Sequence, residues 1–434
     1  MLLYFIPGFW LLLLLFVIAR CRFFRVDEIG SKFTYGAFLF KVLLGVANFY
    51  IWANVIGHGD SLRYYHDSLI VYNSLFENPM HYFELLTRTS LENIPEHLKS
   101  YQKELFIEWH VKEYHMVRLM AILNMFTLGN VWANIVILAF IGFTTSIALF
   151  KSILKYYPST SPQRQKLFIL IFFLPSLIFW TGGILKEAPV YILLGIIAIQ
   201  LLKTTTKPFA YRHLKLNILI IFIALILLLL IRDYVAILAL INIIIYMMVI
   251  YFKPLKNKPI RAFFGITILL FVACIIVPVV LPQYNYFGYV QSEQTYFLAG
   301  EPDPDYSFRV IGDTGFELIA LIPYAVNNIL FRPNILHSDE IFRIYQSVEL
   351  IIIWILICIL LYSIIKNKIK ISPVAIVFIV LSIELLFIYG LMVTDADTLS
   401  RYRSIPVFFI LLFLYVSSQK HSVKKRFGKH NTNT

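Results

Sequence analysis

Three short stretches of this sequence concentrate residues suited to proton transfer and phosphate binding. The first, Gly57-His58-Gly59-Asp60-Ser61-Leu62-Arg63-Tyr64-Tyr65-His66-Asp67, directly follows a long apolar run. A carboxylate at a lipid–water boundary is poorly hydrated, which raises its pKa and suits it to take a proton from a hydroxyl. The same residues also fit a solvated helix end, with Asp60 capping the turn that carries Tyr64 and Tyr65. The second stretch runs from Pro175 and Ser176 through Phe179, Trp180, Thr181, Gly182 and Gly183 to Lys186 and Glu187. Its two glycines allow a tight hairpin presenting Lys186 and Glu187 at a membrane surface, where an ion pair is costly unless it faces the bundle or water. A structural Lys186–Glu187 pair, with Trp180 as an interface anchor, accounts for the same residues. In the third, Asp395-Ala396-Asp397-Thr398-Leu399-Ser400-Arg401-Tyr402-Arg403-Ser404-Ile405-Pro406, two arginines precede an apolar run. Arginine's planar fork matches phosphate, although anchoring to lipid headgroups explains the pair equally. Arg232 sits in a similar hairpin, Ile231-Arg232-Asp233-Tyr234, where contact with Asp233 is the plain explanation.

A later segment adds Asp303-Pro304-Asp305-Tyr306 and Asn328-Ile329-Leu330-Phe331-Arg332-Pro333. The two Asp-x-Asp patterns, Asp303/Asp305 and Asp395/Asp397, leave open a divalent cation such as magnesium or manganese held by carboxylates. No cofactor is otherwise implied. His58, His66, His81, His110 and His115 form no zinc spacing of the HExxH kind.

The elements that must hold these residues are membrane helices. Of 434 residues 59% are hydrophobic and 15% charged, outside the range of soluble domains. The apolar runs are continuous, as in Ile218–Ile231 and Ala262–Leu281, so they read as helices and not as strands of a barrel. Eleven spans are predicted, at 2–20, 35–56, 131–150, 167–184, 187–202, 214–231, 234–252, 262–282, 347–365, 372–393 and 404–418. The fold expected is all-α and polytopic, a single transmembrane domain over 1–434. Cys21, Cys274 and Cys358 lie in or beside apolar runs and offer no disulfide framework. The first span lacks a charged leader and a small-residue cleavage site, so it is expected to stay.

Charge sets the expected orientation. Six stretches between spans hold 24 of the 38 Lys and Arg, and all fall on one side if every span crosses. The positive-inside rule puts that side in the cytoplasm, with the N-terminus outside and the basic tail 419–434 inside. The net charge of +13 therefore reflects topology and contact with anionic membrane lipid, not nucleic acid. Two long loops, about 57–130 and 283–346, fall outside, and their aromatic content reads as ordered caps. Helical patterns at Asn78–Leu86, Glu104–Leu123 and Thr314–Leu330 read as interfacial helices within them.

On these residues the chain resembles the GT-C superfamily of integral-membrane glycosyltransferases, which use polyprenyl- or dolichyl-phosphate-linked sugars. Gly59-Asp60-Ser61 with Tyr64 is similar to the family's acidic motif in its first long outer loop. The Pro175-to-Glu187 stretch looks like one in uncharacterised bacterial members, and Arg401-Tyr402-Arg403 with Pro406 is similar to an Arg-Tyr-Arg-x-x-Pro pattern near the last spans. Here Ser61 follows Asp60 where the family often has a second acid, and the oligosaccharyltransferases' soluble C-terminal domain has no counterpart. The resemblance implies Asp60 as catalytic base and Glu187 as a second catalytic carboxylate. Arg401, Arg403, Lys186 and Arg232 would bind the phosphate. Tyr64, Tyr65, Trp180 and Arg332 would contact sugar or acceptor. The donor would be a polyprenyl-phosphate sugar; the acceptor would be a glycan, lipid or protein outside the cytoplasmic membrane.

Two other activities fit the same sequence. A polymerase or ligase of polysaccharide repeat units would draw on Arg309, Arg332 and Arg343 in the second loop. A transporter or flippase would use charges inside spans, of which Lys41 and Glu384 are the candidates.

Overall fold

A computed structural model describes residues 2–26, 29–88, 94–106, 111–157, 159–204, 211–252, 255, 258–280, 287–299, 310–311, 315–337 and 341–428. Among them no strand occurs, and every predicted span but 167–184 lies, save for a residue or two at its ends, within a single run of helix. Eight helices are long and apolar enough to cross a membrane, or nine if one bent pair is counted as a span. The difference from eleven has three causes. Phe5–Arg20 is a shorter apolar helix. The helix Glu187–Lys203 has 17 residues, a length of about 25 Å at 1.5 Å per residue. The expected span 167–184 is broken into Ser161–Phe172 and Pro175–Gly182, bent by 43°. Pro175 lacks the donor needed to continue a helix and forces Leu174 into an extended conformation (φ −71°, ψ 111°).

Backbone contacts divide the chain into two compact units, Met1–Tyr156 with Ser161–Ala236, and Tyr157–Thr160 with Ile237–Thr434. The first is built from α1 (Leu2–Arg20), α2 (Ser31–Tyr50), α3 (Asp60–Glu77), α4 (Pro79–Thr87), α5 (Lys99–Glu104), α6 (Val111–Thr127), α7 (Val131–Tyr156), α8 (Ser161–Phe172), α9 (Pro175–Gly182), α10 (Glu187–Lys203) and α11 (Tyr211–Ile231), with the start of α12 (Asp233–Tyr251). Here α2 packs against α7 and α9, and α7 against α10. The α2–α9 seam is set by small residues. A Cβ added at Gly45 would lie 2.2 Å from the Gly182 carbonyl oxygen, and one at Gly183 would lie 2.6 Å from Asn48 Oδ1. Lys41, one turn before Gly45, donates through Nζ to Thr181 Oγ1 at 2.8 Å. Positions 41, 45 and 48 share one face of α2, so three contacts in register fix the end of α9 against it.

The described residues of segment 57–130 are largely helical and pack around a common apolar core. Helix α4 matches the pattern at Asn78–Leu86. Within Glu104–Leu123, α6 buries Tyr114, Met116, Val117, Met120 and Ala121 in a core shared with Tyr64, Val71 and Tyr82. The packing of α3 against α6 supplies that core.

The second unit contains the rest of α12, then α13 (Pro259–Val280), α14 (Phe287–Ala299), α15 (Gly315–Phe331), α16 (Ile341–Lys366), α17 (Pro373–Met392) and α18 (Ala396–Gly428). Its centre is α17 against α18 and α15. A Cβ at Gly390 would lie 2.5 Å from the Ala325 carbonyl oxygen, which brings α15 and α17 together. The rings of Phe378 and Phe413 stack at 5.0 Å between α17 and α18.

Candidate functional site

The first unit gathers an ionic layer at the ends of several helices. After α2, the chain winds into a wider turn over Ile51–Ile56 and is released by Gly57 at φ +82°. Gly59, at φ +137°, holds the N-cap position of α3 without a side-chain cap bond. Backbone of that kind needs glycine. Asp60 is thus not the cap but the first residue of the helix.

The α9–α10 hairpin delivers Lys186 and Glu187. Chain neighbours are the partners expected from the sequence, but the ion pairs observed join helices far apart. Lys186 Nζ lies 3.7 Å from Glu113 Oε1 on α6. Glu187, 2% exposed, accepts from Arg232 Nη2 at 2.7 Å. Arg232 also donates from Nη1 to the Tyr234 hydroxyl at 2.6 Å. Asp233 pairs with Lys112 at 2.7 Å. Burial pulls the Lys186 ammonium below the ordinary lysine range, and the Arg232 charge adds to this. Glu113, Asp60 and Glu187 act the other way. Lys186 therefore sits within the electrostatic reach of three carboxylates and one guanidinium. A carboxylate beside a desolvated cation is an arrangement that can accept a proton on one side and stabilise an anion on the other.

Several expected ligand contacts are core residues instead. Tyr64 is 1% exposed and belongs to the α3–α6 core, and Trp180, 2% exposed, packs on Phe179 with ring centroids 4.9 Å apart. Neither offers a sugar ring a flat open face. Both stretches carry aromatics at the spacing of a helix face, and such a face is buried as readily as it is offered to a ligand. Tyr65 donates to the Gly129 carbonyl at 2.9 Å and closes the α3–α6 packing at that end.

In the second unit, Arg403 is 5% exposed and donates through Nη1 to the carbonyls of Ile329 at 3.2 Å and Arg332 at 2.8 Å. These are acceptors at the C-terminal end of α15, which has no further helical donors for them. Arg403 thus reads as a helix cap. Arg403→Ala is expected to leave those carbonyls unsatisfied and cost about 1–3 kcal/mol. A lowered thermal midpoint in detergent, without loss of phosphate affinity, is the result that checks it. Arg401 lies over the Tyr402 ring, 5.0 Å from its centroid, and is partly exposed. Arg332 is partly buried.

Asp395 Oδ1 accepts from the Thr398 N–H at 2.7 Å and caps α18, while Asp397 Oδ1 accepts from Gln346 Nε2 at 3.0 Å. Among the described residues no group of three His, Cys, Asp or Glu is placed to hold a metal ion. Asp303, Asp305 and Arg309 lie outside the described residues.

Sequence reasoning missed the contribution of α6. Lys112, Glu113, His115 and Arg118 carry much of the ionic layer, and their only signal is the mixing of charge into an otherwise apolar helix. Asp67 was also passed over. It is fully buried, accepts from the Phe106 N–H at 3.0 Å and meets His66 Nδ1 at 3.2 Å. No protein-family model, no curated protein and no solved structure matches the chain.

Proposed function

We propose that this chain is a membrane glycosyltransferase that moves a sugar from a polyprenyl-phosphate carrier to an acceptor hydroxyl, on the membrane face opposite the basic loops. The observation that carries the reading is the electrostatic coupling of Asp60 to the largely buried Lys186, within a layer that also holds Glu113, Glu187 and Arg232. The acceptor oxygen attacks the anomeric carbon as its proton passes to Asp60. The bond from that carbon to the phosphate oxygen breaks, and the electron pair leaves with the polyprenyl phosphate. Lys186 faces the charge that grows there, where most of the catalytic effect is expected. A single displacement inverts the anomeric centre.

The roles within the layer differ. Glu187 and Arg232 form a buried pair bridging the start of α10 and the α11–α12 junction, and so hold the layer's shape. The positive-inside rule, applied to the basic loops, supports reading the ionic layer as facing the outer side of the cytoplasmic membrane.

Asp60→Asn tests the reading. It keeps the shape and removes the base, so transfer is expected to fall by at least about 100-fold, the usual contribution of a general base. Donor binding should be kept, and Asp60→Glu should recover part of the rate. Full transfer by Asp60→Asn would remove Asp60 as base.

A further inference from the structure

Arg118 is a strong cation of the ionic layer that the mechanism above leaves without a task and that, unlike Lys112, pairs with no carboxylate among the described residues. On α6 its Nη1 donates to His115 Nδ1 at 3.0 Å, and its guanidinium carbon lies 4.9 Å from the centroid of the Tyr114 ring. Its Nε is buried and has no hydrogen-bond partner among the described residues. No carboxylate among them pairs with it. Glu113 faces Lys186, and Asp67, the carboxylate that acts on Tyr114, accepts from Phe106 and meets His66. A guanidinium keeps its charge at any working pH, so a half-buried one lacking a counter-charge and a filled donor set is an open demand for an anion.

His115 extends the same demand. A guanidinium can only donate, so Nδ1 is the acceptor and the ring proton sits on Nε2. Burial, with the nearby charges of Arg118 and Lys186, keeps the imidazole below its ordinary pKa. The ring is therefore neutral at pH 7, with Nε2–H as a further donor. Tyr114, beneath the guanidinium, donates its hydroxyl to the Leu85 carbonyl and so fixes the platform.

We infer that Arg118 and His115 form an oxyanion subsite for a phosphate or carboxylate carried by the acceptor. The acceptor class is thereby narrowed to anionic glycans or phosphorylated polyols. The inference rests on the transferase reading for the word acceptor, and on Arg118 alone for the anion. In that arrangement Lys186, within the electrostatic reach of Asp60, serves the donor phosphate, and Arg118 holds the second substrate's charge away from it.

Calorimetric titration of the full chain in phosphatidylcholine nanodiscs tests this, with inorganic phosphate, glucuronate and neutral glucose as probes. Both anions are expected to bind and glucose is not. Arg118→Gln should weaken the anions by about tenfold or more, the worth of a charge-assisted bond. Arg118→Lys, which keeps charge but loses the fork, should retain part, and both variants should show the wild-type thermal midpoint. Absence of anion binding, or binding unchanged in Arg118→Gln, overturns the subsite. If Arg118→Gln fails to fold, Arg118→Lys decides alone, and wild-type affinity there overturns the subsite. Phosphatidylglycerol nanodiscs separate the sources. Equal phosphate affinity in both lipids supports a soluble acceptor, whereas Arg118-dependent loss in phosphatidylglycerol assigns the site to headgroups and overturns the acceptor role. Arg118-dependent anion binding without transfer from any lipid-linked sugar would leave the subsite standing and remove the transferase reading.

Discussion

Gly45→Ala is expected to disrupt the first unit, whereas Gly36→Ala, nine residues earlier on the same helix, is expected to be neutral or slightly stabilising. A methyl group at Gly45 would lie 2.2 Å from a backbone oxygen and 2.7 Å from a backbone carbon of Gly182. Backbone cannot rotate out of the way, so α2 and α9 must separate. Overpacking typically costs about 1–3 kcal/mol, and a clash with main chain belongs at or above the upper end. At Gly36 nothing lies within 4 Å, so the added methyl brings only alanine's helix preference of up to about 1 kcal/mol. Gly183→Ala is intermediate, because its neighbour is the Asn48 side chain and that can move. Thermal unfolding in one detergent measures all three. Equal midpoints for Gly45→Ala and Gly36→Ala would mean that the seam does not hold α9. The seam matters for chemistry because α2 leads into Asp60 and α9 leads into Lys186. Separating the helices is expected to abolish transfer before the protein unfolds completely.

Breaking the Glu187–Arg232 pair is expected to cost more than removing it. Both side chains are buried and 2.7 Å apart. Glu187→Gln leaves the Arg232 charge buried close to Lys186, and Arg232→Gln strands the carboxylate. Each single change is expected to destabilise by about 3–5 kcal/mol. The double variant Glu187→Gln with Arg232→Gln leaves neither charge behind, and should recover most of that loss. A double-mutant cycle on unfolding free energies reads the coupling directly. Additive losses would show that the two residues act independently and that the pair is not the brace of the layer.

The helices were legible in the sequence because hydropathy is a property of continuous runs, and a run of apolar residues has few other uses. Two of the three helical patterns read in the long loops, Asn78–Leu86 and Thr314–Leu330, return as α4 and α15 almost to the residue. The break at Leu174 was less visible, since Pro175 sits inside a run whose hydropathy continues unchanged on both sides. Asp60, Lys186, Glu187 and Arg232 were found by type and by position next to apolar runs, and they do fall in one unit. Their partners were not found. Glu187 is 45 residues from Arg232, and Lys186 is 73 from Glu113; nothing in local spacing reports contact across such distances. Tyr64, Trp180 and Arg403 fooled local reasoning for the converse reason. An aromatic face or an arginine near a helix end has the same sequence signature whether it meets a ligand, a core or a neighbouring helix's carbonyls.

The central claim is most directly tested by following the lipid product. Proteoliposomes of the full chain would receive a panel of polyprenyl-phosphate sugars and anionic acceptors, and mass spectrometry would read the carrier after incubation. The account predicts release of polyprenyl monophosphate, with the sugar on the acceptor in inverted configuration, and no release with Asp60→Asn. Release of a polyprenyl diphosphate from a diphosphate-linked donor, or monophosphate release that persists in Asp60→Asn, would contradict it.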